Sequence, residues 1–273
     1  EARDAALAAL APARAGAMKP WLDAADDAYW LSFDRDAVLW HAAEIASAPA
    51  DGSPHVAARP MPRTGVTEVL VYAPDRPGLF ADLAQALAVS GADVTDARVH
   101  TMSGGRAFDV FAVQDSAGDP FGVVSPDSLQ QLLTRLRAAA AGARVPELAS
   151  RAPAIKRAAA FKIEPWVRFD DELSHASTVI EVSARDRPGL LADLARVLAD
   201  GKVSIVSAHI DAYGERVADV FYVQELDGEK LGAGARAAAL KEMIIETLRE
   251  GEPEGPSNAA RQRLAVAPAS SAR

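Results

Sequence analysis

Residues 73–89 read Ala-Pro-Asp-Arg-Pro-Gly-Leu-Phe-Ala-Asp-Leu-Ala-Gln-Ala-Leu-Ala-Val, and residues 184–200 read Ala-Arg-Asp-Arg-Pro-Gly-Leu-Leu-Ala-Asp-Leu-Ala-Arg-Val-Leu-Ala-Asp. The second stretch repeats the first at an offset of 111 residues. The correspondence continues beyond it. Ala97 meets Ala208, and after one residue is lost in a turn, Arg106-Ala-Phe-Asp-Val-Phe-Ala-Val-Gln meets Arg216-Val-Ala-Asp-Val-Phe-Tyr-Val-Gln. Self-similarity at a fixed offset is the mark of a duplicated structural unit. The chain of 273 residues therefore holds two copies of one small fold and a lead-in, not one large domain.

Period assigns the elements inside each copy. Thr67–Tyr72 and Thr178–Ser183 are β-branched runs of strand length. Each runs into a turn where Pro77 or Pro188 is expected at the first helical position, its missing N–H costing nothing there. Leu79, Leu83 and Leu87, like Leu190, Leu194 and Leu198, recur every four residues and form one apolar helical stripe. Strands are then expected over 93–101 and 107–114, and over 203–212 and 217–224. They are joined by turns at Gly104-Gly105 and Gly214. Helices over 126–141 and 235–249 close the units. The order β-α-β-β-α is that of a ferredoxin-like α+β fold, an antiparallel sheet carrying two helices on one face. The fourth strand is expected from the apolar segment upstream of each copy, 55–61 and 163–169, with Leu264–Ala267 the weaker competitor.

These elements divide the chain into a helical segment over 1–50, a first unit over 54–143, a connector over 144–160, a second unit over 161–250 and a disordered tail over 251–273. In the lead-in, 5–10 and 21–30 look helical, and Ser32 or Asp34 suits the cap of a helix over 36–47. Trp21, Tyr29, Trp30, Phe33 and Trp40 concentrate aromatic surface there, which needs something to pack on.

Composition narrows the chemistry. A net charge of -9 argues against a binder of nucleic-acid backbone, which needs a dense basic surface. The arginines of 135–157 read as a solvated helix face and connector. The absence of Cys removes thiolate catalysis and Cys-ligated metal centres. No run approaches the roughly 18–20 apolar residues that span a bilayer, so a cytoplasmic protein is expected. The start at Glu1, neither Met nor a signal peptide, suggests a piece of a longer protein.

The repeated loop has a chemistry of its own. A strand entering a helix through Pro-Gly presents free backbone N–H groups and the positive end of the helix dipole, both suited to a carboxylate. Gly78 and Gly189 allow close approach, and Asp75 and Asp186 can accept hydrogen bonds from an ammonium group. An α-amino acid carries both groups on one carbon. The same residues also suit a purely structural role, shaping a tight turn with Arg76 and Arg187 solvated. Asp109 and Asp219, on alternating strands, fall on the polar, exposed face, while Val-Phe-x-Val-Gln supplies core.

The repeated Asp-Arg-Pro-Gly-Leu, in tandem, resembles the ACT domain, a small regulatory module that often binds amino acids. Tyr29–Asp34 with His41-Ala42, the run Val69–Ala81 and the Val220–Gln224 close extend the resemblance to the bifunctional PII uridylyltransferase/uridylyl-removing enzymes, over about 21–249. That resemblance implies an amino-acid ligand, glutamine, held by Asp75, Arg76, Pro77, Gly78 and Leu79 or by Asp186, Arg187, Pro188, Gly189 and Leu190. It also implies a nucleotidyltransferase domain and a metal-dependent phosphohydrolase domain upstream, a requirement for Mg²⁺ in those domains only, and the PII protein as partner. The catalytic signatures themselves are missing. Asp34-Arg-Asp36 follows Leu31-Ser32-Phe33 and not Gly-Ser, so Asp34 reads as a cap. His41, His55, His100, His175 and His209 are scattered, with no His-Asp dipeptide, and read as surface or packing residues. The piece is expected to be non-catalytic and to need no cofactor of its own. Two other readings stand beside it: a stand-alone tandem regulator working through protein contacts, and a ligand-free dimerisation module pairing edge to edge.

Overall fold

A computed structural model describes residues 25, 27–102, 104–148, 163–213 and 216–249. The expected helix over 5–10, the first part of that over 21–30 apart from residue 25, the tail over 251–273 with its competing strand, and most of the connector lie outside the described residues.

Two short helices open the described chain, α1 (Asp27–Ser32) and α2 (Arg35–Ala46). Asp34 caps α2, its Oδ1 accepting from the Ala37 N–H at 2.8 Å, which satisfies one of the free donors of the first turn. The first unit follows as β1 (His55–Met61), β2 (Val66–Pro74), α3 (Leu79–Val89), β3 (Asp93–Met102), β4 (Arg106–Gln114) and α4 (Pro126–Ala140). The second is β5 (Trp166–Asp170), β6 (Thr178–Arg185), α5 (Leu190–Asp200), β7 (Val203–Tyr213), β8 (Arg216–Glu225) and α6 (Ala235–Arg249). The upstream strands are β1 and β5, each pairing antiparallel with the strand that follows it. A hairpin needs no long crossover, so the fourth strand comes from the near side of the sequence.

The two units share one sheet. Its order is β1-β2-β4-β3-β7-β8-β6-β5, joined at the centre by antiparallel pairing of β3 with β7. Ala97 pairs with Ile210 and Val99 with Ala208, so each of the two meets the repeat counterpart of the other. A bulge recurs as well, at Thr95 in β3 and at Val206 in β7. The pairing covers an edge strand of each unit with the other unit. It is the edge-to-edge association foreseen for a dimer, made here within one chain.

One continuous core lies between the sheet and α3–α6. It includes Val69, Val71, Leu83, Phe111, Leu132 and Leu136 from the first unit and Ile180, Val182, Leu194, Phe221, Leu240 and Ile244 from the second. A second, smaller core lies on the sheet's opposite face, where Tyr29, Val38 and Ala42 of α1 and α2 meet Leu70, Met102, Phe108 and Val110. The aromatic-rich lead-in packs on the back of the first repeat. Among the described residues, no helix is long and apolar enough to cross a membrane.

Candidate functional site

The loop at the end of β2 is built twice with one geometry. Leu79 N–H bonds Arg76 C=O at 3.1 Å, and Leu190 N–H bonds Arg187 C=O at 3.1 Å. Gly78 and Gly189 have φ, ψ of 77°, 3° and 77°, 4°. These are type II turns, with Pro at the first central position and Gly at the second, where only glycine holds a positive φ without strain. Pro77 and Pro188 therefore stand in the turn and not at the first helical position, which belongs to Leu79 and Leu190. Both leucines are buried in the core.

Neither loop arginine is solvated. Arg76 Nη2 donates to Asp82 Oδ2 at 2.7 Å and to Ala139 C=O at 2.8 Å. Arg187 donates through Nη1 to Asp193 Oδ2 at 2.6 Å and through Nη2 to Thr247 C=O at 3.2 Å. Each guanidinium thus ties the first turn of its unit's first helix to the last turn of the second, where a cation meets the negative end of the dipole. The expectation of solvated arginines fails because the turn points the side chain back between two helices.

Asp75 reaches solvent beside the turn. Its Oδ1 accepts from Arg76 N–H at 2.8 Å, and Thr101 Oγ1 lies 3.4 Å from its Oδ2. Partial desolvation pushes its carboxyl above the usual range. Asp186 is raised in the same way, with the charge of Asp93, from the first unit, adding to the effect.

Asp109 and Asp219 overturn their expected exposure. They are 1% and 2% exposed and share the helix-facing side of their strands with Phe111 and Phe221. Each has an Oδ1 without a hydrogen-bond partner. Burial raises Asp109 well above the normal range, and the Asp75 charge adds to it. Burial and then Asp186 push Asp219 up to about 8. A buried carboxyl with no cation opposite it keeps its proton. Alternation could have found these residues only if it told which face of a strand is inside; β4 is apolar on both.

Residues from outside its own unit border each loop, and single-strand patterns gave no hint of them. Arg196 of α5 lies over Gly78, and Leu148 of the connector lies over Gly189. His41 and His100 both pack against Tyr29 and Phe33 on the back of the first unit, and among the described residues no three metal-ligating side chains are grouped.

The comparisons with known proteins agree with this architecture. A model of the ACT domain matches residues 67–120, and a model of the ACR family N-terminal ACT domain matches residues 173–249. The chain is therefore an ACT regulatory region with two ACT domains in tandem.

It is homologous to part of the bifunctional uridylyltransferase/uridylyl-removing enzymes. It is 46% identical over 255 residues to that of Phenylobacterium zucineum, covering 93% of this chain and 27% of the relative. It is 43% identical over 273 residues to that of Caulobacter vibrioides, covering 100% and 28%. The chain thus spans about a quarter of the length of these curated relatives. Among solved structures, aspartate kinase from Synechocystis aligns with a TM-score of 0.37 and 14% identity, over 68% of this chain and 27% of that one.

Proposed function

We propose that this ACT pair is the amino-acid-sensing region, with glutamine as its ligand, of an enzyme that adds UMP to the PII signalling protein and removes it. The observation that carries the reading is the duplicated turn. In both units a left-handed glycine opens a helix of 11 residues beside an aspartate, so a carboxylate acceptor adjoins free helix N–H groups. One zwitterion satisfies both. The region itself performs no chemistry, and the Mg²⁺ its relatives' activities imply belongs to other domains.

Signalling follows from the shared sheet. The first loop is bordered by Arg196 and Ala199 of the opposite unit, so a ligand there touches both units at once. A ligand shifts a conformational equilibrium only by its differential affinity for the two states. Glutamine held between the units would favour one packing of the pair, and with it one of the two opposed activities. The sheet's outer edges, β1 and β5, remain for contact with a second chain.

Calorimetric titration of the chain with glutamine tests the reading. Saturable heat is expected, and the Asp75→Ala/Asp186→Ala double variant is expected to lose it. Absence of heat with glutamine and with a panel of other amino acids would leave only protein contacts for the pair to act through.

A further inference from the structure

The seam between the units pairs two copies of one strand. Arg98 faces His209, and the two are repeat counterparts at the offset of 111, so a local two-fold passes between them. By the same offset Asp96 is the counterpart of Ser207, and His100 of Asp211. The two ends of the seam are thus copies of each other, but their side chains differ. At one end His100 meets Ser207; at the other Asp96 meets Asp211. Both aspartates lie on the back of the sheet, because their neighbours Ala97 and Ile210 belong to the core on the helix side. Residues directly opposite in an antiparallel pair have Cβ atoms about 4.5–5.5 Å apart, and like charges there destabilise the pairing.

The surroundings relieve this contact only in part. On β3, Arg98 Nη1 donates to Asp96 Oδ1 and to Ala97 C=O. On β7, burial and then Arg98 hold His209 below the usual histidine range, so it is neutral at neutral pH. The flanking strands put Ala112 beside Asp96 and Ala218 beside Asp211, neither charged. Beyond Ala112, Glu68 of β2 adds another negative charge, itself held by Arg59 at 2.6 Å. α1 reaches β3 at His100, through the ring of Tyr29. On the helix side, Asp219 takes a backbone hydrogen bond from Asp211 and is pushed up to about 8. Among the described residues, no ion pair reaches Asp211.

We propose that the β3–β7 seam is a proton-dependent joint between the two units, closed when one of the facing carboxyls of Asp96 and Asp211 carries a proton and loosened when both are ionised. The joint needs no ligand, so it stands apart from the amino-acid-sensing reading and gives the pair a two-state element that any ligand or partner can bias. The Asp96 side chain is 40% exposed and so exchanges protons with solvent. Partial burial pushes its carboxyl up to about 6; Arg98 opposes the shift, while Asp211 and Glu68 add to it. A carboxyl raised in the closed seam stabilises it fully below the ordinary aspartate range, and that contribution is lost as pH rises through about 6. His41, held down to about 3, titrates below that window, and Asp219 above it.

Amide hydrogen exchange of the whole chain, followed segment by segment between pH 5 and pH 7 and corrected for the intrinsic exchange rate, tests the joint. Protection of 96–100 and 207–211 is expected to fall about twofold to fivefold over that range, while β6, two strands from the seam, keeps its protection. Asp96→Asn and Asp211→Asn should each flatten the change, because either removes one of the two facing charges. The double variant should add nothing further, which separates a shared contact from two independent ones. Seam protection that does not change with pH, a change of equal size in β6, or a pH dependence that survives in Asp96→Asn would overturn the proposal.

Discussion

The back of the sheet in the first unit and the back of the sheet in the second show how one fold serves two surroundings. In the first, Leu70, Tyr72, Phe108 and Val110 face α1 and α2. Phe108 packs against Tyr29, His41 and Tyr72 with ring centroids 5.4, 5.0 and 6.5 Å away. In the second, the corresponding residues are Glu181, Ser183, Ala218 and Val220, and no helix of the described residues covers them. Trp166 is 43% exposed at that edge. Both helix-facing sides keep the same apolar pattern, because both must seat two helices. Duplication preserved what folds the unit and released what lies behind it. The back face is where the first unit was fitted to the lead-in that precedes it.

The largest effect should come from removing the keystone of that fit. Phe108 is fully buried and has no large counterpart in the second unit. Phe108→Ala is expected to cost about 3–5 kcal/mol, the usual range for a buried phenylalanine, in the urea unfolding of the first unit. Val220→Ala, at a half-buried position of the open face, should cost about 1 kcal/mol or less. Equal losses at the two sites would mean that the second back face is covered as tightly as the first.

Acid should then separate the units. His41 lies on the buried side of α2, with Tyr29 Oη 2.9 Å from its Nδ1. Its pKa is driven down to about 3 by burial, with Arg59 and His100 contributing. The neutral imidazole therefore gives stability that is present above the ordinary histidine pKa and lost as pH falls towards 3. Tryptophan fluorescence should report release of the α1–α2 lead-in on acidification before the second unit unfolds.

Asp219 acts in the opposite sense. Its raised pKa gives stability that is full below the ordinary aspartate range and lost as pH rises towards about 8. Asp219→Asn should match wild type near pH 4 and exceed it by about 1–3 kcal/mol at pH 8. Parallel stability curves for the two proteins would show that the carboxyl is ionised and paired in the fold.

These same positions mark where reading the sequence stopped. The repeat, both upstream strands and the α3 and α5 stripes were legible because each depends on local periodicity. Arg98 and His209 face each other across the β3–β7 seam, yet nothing within either strand says which edge it meets. Asp109 was placed on the wrong face because Phe108 and Phe111 are both buried, which leaves the alternation without a direction. Arg76 and Arg187 looked solvated because their acceptors, Ala139 and Thr247, lie about 60 residues further along the chain. At the site, the loop was legible and its neighbours were not, since Arg196 and Leu148 reach it only through the packing of the two units.

The finest comparison lies within the two turns. Gly78 and Gly189 share a φ of 77°, so alanine at either must adopt a left-handed conformation, costing about 1–2 kcal/mol. The first loop adds no crowding, because its nearest atoms stand 3.9–4.0 Å from the new Cβ. In the second, Leu148 stands at 3.2 Å and has to yield by a few tenths of an ångström. Gly189→Ala should therefore lower the thermal midpoint slightly more than Gly78→Ala. Adding Leu148→Ala should remove that excess, because it takes away the crowding and leaves the backbone cost unchanged. A gap between the two glycine variants that survives the loss of Leu148 would place the difference between the loops in the turn itself, not in the side chain lying over it.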